Sequence, residues 1–437
     1  VDTRTIRPVA RPVEGTAWVP GSKSLTNRAL PLAALAAGST TLTGALFADD
    51  TRRMIDGLTA LGWTVRADAA AQAIAVDGTA GRVPATTAKL FVGNSGTTTR
   101  FLTPLCALGN GFFTVDGVPR MRERPMADLI HALAQLGTTV DAPTGCPPLS
   151  IHAHGLHGGA CAIRSDASSQ FLSGLLMAAP CAAGDATTIA IEGPILSAPY
   201  IAITIAMMRA FGATVAVEDA GRRYIVPGRQ IYHAPGTYAI EPDASSASYF
   251  FAAAAMTGGR VRVPGLGSGS LQGDTAFVDV LEQMGCTVDR TESEITVWGA
   301  ARLRGVTIDM NAISDTVMTL AAIAPFADSP TVIENVAHIR HKETDRLAAV
   351  AAELSRLGVR VDERPDGLTI YPASALRPAV IETYDDHRMA MAFALIGLRA
   401  PGVVIADPGC VTKTFPDYFE RLERLVAPTG AAEKDQR

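Results

Sequence analysis

The sequence predicts an α/β protein of six repeated helix–strand–helix–strand units, gathered as two groups of three, with the first helix of each unit buried. Three observations lead there. The chain of 437 residues is 48% apolar but only 6% aromatic, which suits α/β layers better than an aromatic-rich β-sandwich. A helix-ending glycine followed by a strand-forming residue recurs at nearly constant spacing. Between those glycines lie apolar helices, each opened by small polar residues.

The glycines are Gly62, Gly137, Gly212, Gly285 and Gly358, spaced 75, 75, 73 and 73 residues apart. Each ends an amphipathic stretch such as 54–61, 128–136 or 345–357, and a strand is expected directly after it. The buried helices are expected at 21–37, 94–108, 165–179, 243–256, 313–326 and 384–398, because they are apolar around most of their circumference. β-branched runs follow them, for example at 40–42, 113–115, 187–191 and 403–405. The amphipathic second helices should lie on the outside. The sixth unit stops at 418–426 with no closing strand; segments 4–8 and 15–19 are the available substitutes. Residues 1–20 plus 241–437 are therefore expected as one domain and 21–240 as the other, with the change near 238–243.

Composition excludes several classes. A net charge of −5 argues against a general nucleic-acid surface. No apolar run approaches the ~18 residues of a membrane helix, and residues 1–6 alternate in polarity rather than forming a leader. The six cysteines are scattered, which suggests reduced thiols and a cytoplasmic location. His152, His154 and His157 lack a fourth ligand or supporting carboxylates, so no metal is expected. Pro20–Ser24 is not a P-loop: Ser22 separates Gly21 from Lys23, and Thr16 stands where the motif's first glycine belongs.

The helix starts carry the chemistry. Gly21-Ser22-Lys23-Ser24, Asn94-Ser95-Gly96-Thr97, Asp166-Ala167-Ser168-Ser169-Gln170, Asp243-Ala244-Ser245-Ser246 and Asp385-Asp386-His387-Arg388 all offer unpaired backbone N–H groups. Capping alone explains the Ser, Asp and Asn, but it does not call for Lys23, Arg28, Arg100 or Arg388. Small anions are the natural ligands of such ends. Arg120, Arg122 and Arg124 precede one helix. Lys342 and Arg346, four residues apart, are expected on one helical face, with Glu343 turned elsewhere.

The segments PGSKSLTNRA, GNSGTTTR, PRMRERP, SDASSQFL, APYIAIT, PDASSASYF, HKETDRL, YDDHRMAM and CVTKTFPDYF stand in the order and spacing of one family. Over nearly its whole length the chain resembles the 5-enolpyruvylshikimate-3-phosphate synthases, a branch of the enolpyruvyl transferases. The resemblance implies two inside-out α/β domains, each of three repeated units with buried helices, and ligands bound in the cleft between them. It implies a monomer that needs no cofactor and acts on phosphoenolpyruvate and shikimate-3-phosphate.

Residue by residue, the resemblance assigns shikimate-3-phosphate to Lys23, Ser24, Arg28, Ser168, Ser169, Gln170, Ser197, Tyr200, Asp315, His338 and Lys342. It assigns phosphoenolpyruvate to Lys23, Asn94, Gly96, Arg124, Gln170, Arg346, Arg388 and Lys413, with Arg100 and His387 in support. Asp315 is the candidate base at the accepting hydroxyl and Glu343 the candidate acid at the methylene, with Lys23 steadying the developing charge. The chain departs from the family at Ser95, Thr99 and Phe101, where Ala, Met and Pro are usual, and at His338, where Asn is common. Phe101 beside the phosphoenolpyruvate loop implies reduced sensitivity to glyphosate, the herbicide that occupies that site in the family. Two rivals stay open: an enolpyruvyl transferase for UDP-N-acetylglucosamine, which would need a loop cysteine that 120–125 lacks, and a non-catalytic anion-binding protein.

Overall fold

The computed structural model describes residues 2–164 and 168–427. Residues 165–167 of the helix expected over 165–179, and residues 428–437, fall outside the described residues. The chain forms two compact units, Gly21–Ile240 (here the central unit) and Val1–Pro20 with Glu241–Arg437 (the terminal unit).

In chain order the α-helices of the central unit are α1 (Lys23–Leu35), α2 (Asp49–Ala60), α3 (Gly96–Ala107), α4 (Ala127–Gln135), α5 (Gln170–Ala178) and α6 (Ala198–Ala210). Those of the terminal unit are α7 (Ala244–Thr257), α8 (Phe277–Gln283), α9 (Val317–Ile323), α10 (Arg346–Arg356), α11 (His387–Gly397) and α12 (Tyr418–Val426). Every residue of α3, α9 and α11 is buried, and α1, α5 and α7 are nearly so. Helices α2, α4 and α10 bury one stripe and leave their charged face to water, because their apolar residues recur at helical spacing. Each unit has its own hydrophobic core, built on its three buried helices.

The repeat is visible in the sheets. Five have four strands and one has three among the described residues. In each, a central strand pairs parallel on one side and antiparallel on the other; Asn110–Asp116, for instance, runs parallel to Thr87–Phe91 and antiparallel to Leu149–His154. Repeats in the four-stranded sheets thus carry more strands than the expected two, whereas the sixth supplies only Ala379–Ile381 and Val403–Ala406 to its three-stranded sheet. The additional strands include hairpin partners such as Ala73–Thr79, reached through the tight turn at Gln72, and parallel strands such as Thr87–Phe91. All five repeat glycines have positive φ, from 86° at Gly212 to 102° at Gly285, the left-handed conformation that ends a helix without a Cβ penalty.

Strand β1 (Thr3–Thr5) pairs antiparallel with Val403–Ala406, taking the position that a closing strand of the sixth repeat would fill. Strand β2 (Glu14–Thr16) pairs parallel with Arg260–Pro264. Two expectations are corrected. The helix expected over 313–326 is broken: a 3-10 turn (Asn311–Thr316) kinks at Ile313, and a second one begins at Ala324, where Pro325 ends the α-helical ladder. Lys342 and Arg346 do not share a helical face. Asp345 caps α10 by accepting from the Ala348 N–H, so Lys342 lies ahead of the helix in extended backbone. No helix among the described residues is long and apolar enough to cross a membrane.

Candidate anion-binding sites of the two units

In the central unit the cations cluster at the starts of α1 and α3. Ser22 caps α1, which places Lys23 in the first helical position with Nζ 3.6 Å from the Asp50 carboxylate at the start of α2. Arg28, 1% exposed, donates from Nε to Thr204 Oγ1 at 2.8 Å, from Nη1 to the Ser24 carbonyl at 2.9 Å and from Nη2 to the Tyr200 carbonyl at 3.2 Å. All these partners are neutral. Burial pushes the Arg28 guanidinium down to about 10, with Tyr200 pulling weakly the other way. The Phe101 ring lies 5.2 Å from that guanidinium, inside an unbroken α3.

Arg124 returns from the 3-10 turn Pro119–Glu123 to lie over the start of α3, where Nη1 donates to the Asn94 carbonyl at 3.1 Å. A Cβ on Gly96 would fall 2.5 Å from Arg124 Nη2, so only glycine lets the arginine approach the helix end. The three arginines of that segment separate by function: Arg120 pairs with Glu123 and Arg122 with Asp116 at the surface, while Arg124 is 3% exposed. Gln170 opens α5, donating to Thr97 Oγ1 at 3.0 Å and accepting from Arg100 Nη1 at 2.8 Å. Ser168 and Ser169 are buried just ahead of it. Ser197, in left-handed backbone (φ 49°), opens α6 and places Tyr200 beside Arg28.

In the terminal unit one network joins the candidates. Arg346, the first residue of α10, donates to Asp386 at 2.8 and 3.2 Å, to Glu343 at 3.0 Å and to Asp315 at 3.3 Å. Arg388, at the start of α11, donates to the other Asp315 oxygen at 2.8 Å. Lys413 Nζ lies 3.8 Å from Glu343. Burial works against the Arg346 charge, but Asp386, Glu343 and Asp315 together outweigh it and hold the guanidinium above its ordinary range. His338 is buried near this network. Desolvation, then the Lys342 charge, lowers its pKa to about 3, so it is neutral near pH 7.

The structure therefore gathers Ser24, Arg28 and Tyr200; Asn94, Gly96 and Arg124; and Asp315, Glu343, Arg346, Arg388 and Lys413. The three histidines weighed for a metal are not in either gathering: His152 bonds Asp141 at 3.0 Å, and His154 and His157 are exposed. Asp50 and Thr204 are absent from the sequence-based assignment; Thr97 and Asp386 stand in its helix-start clusters but are given no ligand there. No group of three or more His, Cys, Asp or Glu among the described residues has metal-binding geometry. Burial raises the thiols of Cys161, Cys181 and Cys410 to about 12, far from a nucleophile's range.

A cation at a helix N-terminus opposes the helix dipole. Lys23, Arg124, Arg346 and Arg388 all sit that way, an arrangement that becomes favourable when an anion lies between the cation and the N–H groups. The fold and these sites define an α/β protein of paired three-repeat units that handles small, multiply charged anions.

Comparison with known proteins narrows the class. Residues 9–422 match the family model of EPSP synthase (3-phosphoshikimate 1-carboxyvinyltransferase). A 3-phosphoshikimate 1-carboxyvinyltransferase of Nostoc punctiforme is 50% identical over 428 residues, covering 98% of this chain and 100% of that one. The chloroplastic protein of that name from Arabidopsis thaliana is 46% identical over 95% of this chain and 83% of its own length. An EPSP synthase structure from Acinetobacter baumannii aligns with a TM-score of 0.81 at 27% identity, over 97% of this chain and 98% of that one. The chain belongs to the EPSP synthase family, and its architecture is that family's two inside-out α/β domains.

Proposed function

We propose that residues of both units act on one substrate pair, transferring the enolpyruvyl group of phosphoenolpyruvate to the 5-hydroxyl of shikimate-3-phosphate and releasing phosphate. The reading is carried by the cations that oppose helix dipoles at Lys23, Arg124, Arg346 and Arg388. Two phosphates and two carboxylates on the substrates meet that demand.

In this reading Lys23, Ser24, Arg28, Ser168, Ser169, Gln170, Ser197 and Tyr200 hold shikimate-3-phosphate, with Asp315, His338 and Lys342. Lys23, Asn94, Gly96, Arg124, Gln170, Arg346, Arg388 and Lys413 hold phosphoenolpyruvate. Asp315 takes the hydroxyl proton as that oxygen bonds to the enol carbon. Glu343, beside Lys413, protonates the neighbouring methylene. The resulting tetrahedral adduct breaks its carbon–oxygen bond to phosphate and returns a methyl proton to the protein, which restores the double bond. Arg346 and Arg388 spend the resting state on Asp315 and Glu343. Substrate carboxylate and phosphate compete for the same guanidinium groups, so binding frees the two carboxylates for proton transfer. The Arg346–Asp386 pair, both members fully buried, stays as the anchor.

In this reading the protein is a monomer, and six free thiols support a cytoplasmic setting. The test is phosphate release when both substrates are mixed with the protein. Release that requires both Lys23 and Asp315 supports the proposal; binding without release points to an anion carrier. Weak glyphosate inhibition, resting on Phe101 in the segment that follows Gly96, belongs to the same proposal, and a low-micromolar inhibition constant removes that part.

A further inference from the structure

Seven residues beyond Arg346 on the same face of α10, Glu353 has a fully buried carboxylate. It accepts from the Glu382 N–H at 3.1 Å, from Tyr384 Oη–H at 2.7 Å, and from Arg356 Nε at 3.0 Å and Nη2 at 3.3 Å. A buried carboxylate is costly unless donors surround it. Arg356 alone does not account for this one, since its side chain is 48% exposed and could carry an ion pair at the surface. The other two donors both come from the short segment that leads into α11.

That segment is strained. Tyr384 and Asp385 are consecutive non-glycine residues in left-handed backbone, with φ of 55° and 53°. The next residue, Asp386, caps α11 through the Arg388 N–H at 2.9 Å and bonds Arg346. Helix α10 thus grips the turn at two points, Glu353 at its beginning and Arg346 at its end.

We propose that Glu353, acting through Tyr384 and the Glu382 N–H, is a positioning residue that holds the turn 382–386 so that Arg388 reaches the substrate anion. It touches no substrate. Its effect passes through the cap of α11, and the assignment of Arg388 to phosphoenolpyruvate rests on the function proposed above.

Two variants test it. Tyr384→Phe removes one donor from a residue 41% exposed, so the fold should survive. Glu353→Gln keeps the shape but turns an amide N–H₂ toward the other donors. Amide exchange at Arg388 and Met389, whose N–H groups are held by Asp386, should quicken in both variants relative to the later turns of α11. KM for phosphoenolpyruvate should rise by roughly 5–10-fold, the scale of one lost hydrogen bond, with kcat changed less. A lower melting temperature with unchanged exchange at Arg388 overturns the proposal, because it shows only a structural contact. Faster exchange with unchanged KM upholds the positioning of α11 and instead refutes the role given to Arg388.

Discussion

The two units hold their most deeply buried arginines in opposite ways. In the central unit, Arg28 and Arg124 are buried and meet only neutral oxygens among the described residues. In the terminal unit, Arg346 meets Asp386, Glu343 and Asp315, Arg388 meets Asp315, and Lys413 meets Glu343. The titration of the two deepest arginines shows the consequence. Desolvation lowers Arg28 to about 10, whereas Asp386, Glu343 and Asp315 overcome the same penalty at Arg346 and raise it. At Arg28 and Arg124 the central unit sets positive charge against neutral oxygens, ready to receive an anion, although its Lys23 is paired with Asp50. The terminal unit cancels its charge internally, which makes its resting state stable and places two carboxylates where protons must move.

The sharpest way to break this contrast is to remove the carboxylates. Asp315→Ala and Glu343→Ala should each lower turnover by at least ~100-fold in a phosphate-release assay. Near-normal rates in both would leave the terminal unit as a second receptor only. Next come the arginines themselves. Arg28→Met should weaken shikimate-3-phosphate binding by about 10–100-fold, as expected for lost bonds to a charged group. It should also raise the melting temperature of the ligand-free protein by about 2–4 °C, because the variant no longer buries an uncancelled charge. Arg346→Met should lower that temperature, since it takes from Asp386, Glu343 and Asp315 the guanidinium they share. Parallel shifts in the two variants would erase the distinction.

A smaller effect is expected at Gly96. Its alanine variant should raise KM for phosphoenolpyruvate by about 10-fold as the new Cβ displaces Arg124, with Lys23-dependent binding of shikimate-3-phosphate retained. The smallest concerns His338. Its folded pKa of about 3 lies below the ordinary 6.5, so between those values the unfolded chain takes up a proton that the folded one refuses. Its contribution is constant above pH 6.5 and is lost as pH falls toward 3. His338→Asn should remove up to about one proton from the pH dependence of stability across that window. Identical acid profiles for the two proteins would show that His338 is not desolvated as described.

The repeat was legible in the sequence because its marks are local. A glycine at positive φ and an apolar helix each leave a short-range trace, as at Gly62 and 96–107. The helix-start cations were legible for the same reason. What escaped depends on tertiary partners. Lys342 and Arg346 looked like one helical face until the Asp345 cap moved the boundary between them. The pairing of Lys23 with Asp50 spans two helices, and nothing in the spacing of either announces it. The split of Arg120, Arg122 and Arg124 between surface and interior turns on how Arg124 meets Gly96, a close approach visible only in three dimensions.

Strands β1 and β2 carry a consequence for biogenesis. Thr3 pairs with Ala406 and Glu14 with Arg260, whereas the last strand of the central unit, Thr237–Ala239, closes onto Thr41–Thr43. On a ribosome adding about 5–20 residues per second, β1 waits roughly 20–80 s for its partner, long after the central unit has all its strands. The nascent chain therefore carries two unpaired edges past an already completed neighbour. Chaperone dependence in this protein should track the first sixteen residues more than the buried helices.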